Sequence, residues 1–181
     1  MNKQLKKLIY AAICLALCYV LPFLTLGDVT LGTMFSLMHI PVFLCGFLCG
    51  WQWGLAVGFV APLLRSLTLS RPPILPTGLA MAFELAAYGL VVGLLFKVLP
   101  RKAWSIYVSL IVAMLLGRVV SGVANAIILG IQGNAYTFEV FLAKHFVEAL
   151  PAIVLHIIFV PLVVMAFERA KLIENNPKRK E

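Results

Sequence analysis

Charge is the first thing this chain lacks. Only 12% of its 181 residues are charged and 62% are hydrophobic, with a mean hydropathy of +1.02. No soluble domain of this size buries so much apolar surface, so the chain reads as an integral membrane protein. Catalytic signatures are missing too. There is no Gly-rich phosphate loop, no serine in a nucleophile elbow and no pair of intramembrane aspartates, and His145-Phe-Val-Glu148 lacks the His-Glu-x-x-His arrangement of a zinc protease. Enzymatic activity is therefore not expected, and the chain does not hydrolyse ATP alone. Low-complexity stretches and internal repeats are absent as well. The length suits one domain, 1–181, of about six spans, since a spanning helix takes ~20 residues.

What charge there is lies mostly on connections. A balance of +8 would suggest nucleic acid in a soluble protein, but here it reads as a topology signal. The expected helices cover 7–24, 33–49, 53–69, 77–99, 104–131 and 142–169. Lys3, Lys6 and Lys7 before an apolar run resemble a secretory signal, yet Leu17 stands where a small residue should precede Cys18, and the run continues to Leu24, so this segment is kept as the first helix. Basic residues concentrate at the N-terminus, the turn 97–102 and the tail from Arg169, against Arg71 and Lys144 near the third and fifth connections. Both termini are thus expected in the cytoplasm, with the first loop (27–32, carrying Asp28), the third and the fifth outside. Trp51 and Trp53 fall at the cytoplasmic interface, as headgroup anchors. The third connection, SRPPILPTG, is stiffened by three prolines and suits a lid.

The stretch from Met34 to Ser66 reads as a tight hairpin turning at 50–54, with Gly46 and Gly50, then Gly54 and Gly58, at the four-residue spacing that lets helices approach closely. Cys14 with Cys18 and Cys45 with Cys49 are also four apart within apolar runs. They read as packing residues, because the two-residue ligand spacing of a zinc site is absent.

Polar residues at membrane depth carry the functional signal, since each costs several kcal/mol unless paired or facing a cavity. The fifth helix aligns Arg118, Ser121, Gly122, Asn125, Leu129 and Gln132; the sixth aligns His145, Glu148, Ala152 and His156; the fourth places Glu84 and Tyr88 one turn apart; and the third puts Arg65 on a face with Gly54, Gly58 and Ala61. Two readings stay open. Arg65 with Glu84 and Arg118 with Glu148 are interhelical ion pairs that hold the bundle, or the groups converge on an outward-opening cavity. On the cavity reading the ligand-binding candidates are His39, Arg65, Glu84, Tyr88, Arg118, Asn125, His145 and Glu148. The histidines His39, His145 and His156 are too scattered to prescribe a metal or haem site, and no cofactor is expected.

Six short helices, cytoplasmic termini and the hairpin MHIPVFLCGFLCGWQWGLAVGFVAPLLRS together resemble the substrate-binding S components of energy-coupling factor (ECF) transporters. The resemblance implies a prokaryotic plasma-membrane subunit that captures a vitamin or precursor from outside and joins a transmembrane T component and two ATPases. It also implies an Ala-x-x-x-Ala surface on the first helix for the T component, matched by Ala12 and Ala16 with Ala11 beside them. Pantothenate, small and carboxylated, fits two arginines best; riboflavin, pyridoxine- or thiamine-like precursors and a ribazole remain alternatives. The rival classes are a stand-alone proton-coupled secondary transporter using Glu84 and Glu148, and a membrane assembly protein without a ligand.

Overall fold

The computed structural model describes residues 2–25, 29–100 and 102–170. Asp28 of the first loop, Arg101 of the basic turn and the polar tail from 171 lie outside the described residues. The chain is all-helical there: α1 (Lys3–Val20), α2 (Val29–Phe35), α3 (His39–Cys49), α4 (Trp51–Leu69), α5 (Leu79–Val98), α6 (Ala103–Ile131), α7 (Phe138–Leu142) and α8 (Leu150–Arg169). Four apolar stretches, Lys3–Thr25, Ile74–Val98, Ala103–Ile131 and Leu150–Arg169, are each long enough to cross a membrane. The other two expected spans differ: α3 has only 11 residues, and α4, with Gln52 and Arg65 in its 19 residues, is not among the spans that length and composition support.

Two expected helices are interrupted. The span 33–49 breaks at 36–38, where Ser36 takes a positive φ of 44°, and α3 starts anew at His39. Pro41 explains the restart: it has no N–H for the carbonyl of Leu37 and its ring crowds that carbonyl, so a helix running through both is disfavoured. The span 142–169 breaks likewise, with a wide turn at Ala143–Val147 and Pro151 in the first turn of α8, where its missing N–H costs nothing. Pro62 and Pro161, by contrast, sit inside continuous α4 and α8.

α3 is the post of the bundle, buried on every side from His39 to Phe47. It packs on α1, α4, α5 and α8. The sharp reversal into α4 is made by Gly50, at φ 94°, a conformation that side chains rarely adopt. The closest helix pair is α4 with α5, and glycine makes it possible. A Cβ on Gly54 would strike the Gly89 carbonyl, one on Gly58 the Leu85 carbonyl, and one on Gly93 the backbone of Trp51. Gly46 faces the same seam, its missing Cβ 2.9 Å from the Gly89 oxygen. Small residues thus bring backbones together where lipid supplies no hydrophobic drive. All four cysteines are free and buried in the core, and the Cys14 and Cys45 thiols of α1 and α3 touch.

Candidate functional site

The N-terminal ends of α3, α5 and α8 and the C-terminal half of α6 meet at one end of the bundle. The connections that precede α3, α5 and α8 lie at that same end. Between them is a cavity of about 160 Å³ lined by His39, Thr77, Glu84, Tyr88, Arg118, Ser121, Asn125, Lys144, His145 and His156, with Ser36, Ala80, Met81, Ala149 and Ala152. Apolar helices therefore surround a pocket lined largely by polar residues.

Helical spacing sets its geometry. Glu84 and Tyr88 are one turn apart on α5, and the Tyr88 hydroxyl donates to Glu84 Oε1 at 2.6 Å. Tyr88 is 1% exposed. Its ring lies against α6 where Gly117 has no side chain, since a Cβ there would overlap it. Across from them, His39 Nε2 stands 3.9 Å from the same carboxylate oxygen, and its ring stacks on His156 at 5.7 Å. Phe43, one turn below His39, closes this aromatic floor against Tyr88 and His156, at 4.9 and 5.6 Å.

On α6, Ser121 is the junction. His145 Nε2 lies 3.0 Å from the Ser121 hydroxyl and its Nδ1 3.2 Å from the Phe141 carbonyl; Asn125 donates to the Ser121 carbonyl at 2.9 Å. The turn 143–147 is thereby tied to α6, and Phe141 settles against α6 where Gly122 leaves space. Arg118 stands one turn deeper than Ser121, 6% exposed. Its guanidinium lies 5.5 Å over the Phe146 ring and has no carboxylate within ion-pair distance among the described residues.

Six of the eight ligand candidates, His39, Glu84, Tyr88, Arg118, Asn125 and His145, therefore share one cavity. Arg65 and Glu148 do not. Arg65 turns toward α1, donating to the Tyr19 carbonyl at 2.6 Å and lying 4.9 Å over the Phe23 ring. Its pairing with Glu84 is corrected: that carboxylate belongs to Tyr88 and His39. Glu148 is exposed at the start of α8, because Pro151 forces the helix to begin below it, and it does not meet Arg118. Thr77 and Lys144 were not among the ligand candidates; the structure places them on the wide turns Ile74–Gly78 and Ala143–Val147, where regular helices 77–99 and 142–169 were expected. His156 lay on the α8 stripe and could have been included. Ala12 and Ala16 are exposed on α1, on the side away from buried Ala11, Cys14 and Cys18.

At the opposite end a second cavity of about 180 Å³ is lined by Lys7, Gly50, Trp51, Gln52 and Lys97 among others. No curated protein and no solved structure matches the chain. The family model described as "ECF transporter, substrate-specific component" matches residues 6–167. A multi-pass helical membrane protein with a polar pocket, matched over nearly its whole length, this chain belongs to the family of substrate-specific components of ECF transporters.

Proposed function

We propose that the chain is the binding subunit of an ATP-driven importer in a prokaryotic plasma membrane. It takes a small polar vitamin, pantothenate before the alternatives, from outside and delivers it through a T component powered by two separate ATPases. The observation that carries this is the cavity itself: an acid, a buried arginine, an amide and three imidazoles gathered inside an otherwise apolar bundle. Ionisable groups at membrane depth are costly, and gathering them around a space favours a ligand over a structural role.

Orientation follows from charge. Lys7 and Lys97 lie at the end opposite the polar cavity, and basic residues favour the cytoplasmic side. The polar cavity then opens outward, under the first, third and fifth connections. Thr77 brings the proline-rich connection to the cavity wall, which supports that segment as a lid. The exposed Ala12 and Ala16 leave a flat strip on α1 against which a partner helix can pack closely.

The test is native mass spectrometry of the protein purified from its own host in mild detergent. Bound pantothenate together with a T component and ATPases is the expected result. Recovery with neither, even after pantothenate and other vitamins are added, would overturn the proposal.

A further inference from the structure

The cavity is complementary to one charge class of ligand and to one orientation of it, and the geometry points to a monocarboxylate whose other end carries hydrogen-bond donors. We infer that its carboxylate meets Arg118 and its donors meet Glu84. This deepens the binding-subunit proposal and rests on it.

The charges on the wall give the class. Arg118 is the buried cation of the cavity wall, 6% exposed and with no carboxylate within ion-pair distance among the described residues, whereas Glu84 already holds Tyr88 and stands beside His39. A carboxylate gives Arg118 an anionic partner. A cation would leave it unmatched, and a phosphate monoester, at about −1.5 to −2, would set further negative charge against Glu84.

Donors and acceptors give the orientation. Arg118 has only donors, and none has an acceptor among the described residues; its sole neighbour of note is the Phe146 ring. The planar fork of a buried guanidinium suits a carboxylate, which it can hold by two parallel hydrogen bonds. Glu84 has only acceptors. Its Oε1 already receives Tyr88, and its side chain remains 13% exposed, so the carboxylate still accepts from the cavity. The Asn125 amide is committed through its nitrogen to Ser121, which leaves its oxygen as another acceptor. Hydroxyl, amide or amine hydrogens on the ligand belong at the Glu84 and Asn125 positions. Lys144 sits exposed on a turn, so its charge is solvated and fixes no position.

The experiment measures pantothenate and panthenol, in which a hydroxymethyl group replaces the carboxylate, by calorimetry on the purified full chain and three variants. Wild type is expected to prefer the acid by roughly 10- to 100-fold, the range of one charge-assisted hydrogen bond. Arg118→Gln should erase that preference, Arg118→Lys should keep part of it, and Glu84→Gln should weaken both ligands while leaving their ratio intact. A preference that survives in Arg118→Gln, or wild type binding the alcohol equally well, overturns the orientation while pantothenate stands as substrate. If wild type binds neither, pantothenate falls, and biotin, a monocarboxylate with ureido N–H donors at its other end, is compared with riboflavin, thiamine and pyridoxal phosphate. Binding of biotin then supports the inference. Binding of a neutral, cationic or phosphorylated member, or of none, overturns it.

Discussion

Arg65 and Arg118 are both buried arginines on long helices, yet their surroundings differ in kind. Arg65 lies in the seam between α1 and α4, where the Tyr19 carbonyl accepts its hydrogen bond, the Phe23 ring covers it, and the Tyr19 hydroxyl reaches across to Thr68 at 3.1 Å. The protein satisfies that charge itself. Arg118 has a ring beside it and an open cavity in front. The contrast separates a charge that fastens helices from one that faces a cavity. It extends to the neighbouring glycines: those of α4 and α5 bring two backbones into contact, whereas Gly117 and Gly122 make room for the aromatic rings of Tyr88 and Phe141.

Substitutions can break that contrast. The largest effect is expected at the closed seam: Gly58→Leu forces a side chain into the Leu85 carbonyl and should lower stability by about 3 kcal/mol or more, read as loss of the thermal transition in detergent. Arg118→Ala should cost about 2–3 kcal/mol of ligand affinity, as a charge-assisted contact is lost, with the unliganded melting temperature little changed. Arg65→Ala should do the reverse, lowering stability by roughly 1.5–3 kcal/mol while calorimetric affinity stays within error. An Arg65→Ala variant that folds normally and loses ligand would abolish the distinction. Gly117→Ala should displace the Tyr88 ring and loosen its bond to Glu84, weakening binding by about 1 kcal/mol; adding Tyr88→Phe should then produce little further loss. Glu148→Gln should change both quantities by less than about 0.5 kcal/mol, as expected of an exposed side chain.

Helical periodicity made much of this visible in the sequence. The faces holding Glu84 with Tyr88 and Arg118 with Asn125 do line one cavity, because a 3.6-residue repeat fixes which side chains share a side. The hairpin turn was legible from Gly50 and the close packing from Gly54 and Gly58. Periodicity does not tell which neighbour each side meets. The α4 stripe splits along its length, its glycines against α5 and its arginine against α1, so Arg65 was grouped with the wrong partner. The broken helices were harder. Pro41 and Pro151 mark restarts while Pro62 and Pro161 ride within helices, and the four differ by tertiary surroundings rather than by residue type. Glu148 was misplaced by the same uncertainty. One uninterrupted helix would have carried it inward, but the wide turn ahead of Pro151 leaves it outside.

The brevity of α3 has a consequence for depth. Eleven residues rise only about 16 Å, roughly half of a hydrocarbon slab about 30 Å thick. On its own α3 therefore falls well short of such a slab, and the polar cavity begins at its first residue, His39. Helix length here fixes where the floor of the cavity lies. One added turn on α3, ~5.4 Å, would push that floor into the cavity without altering a residue of the other helices.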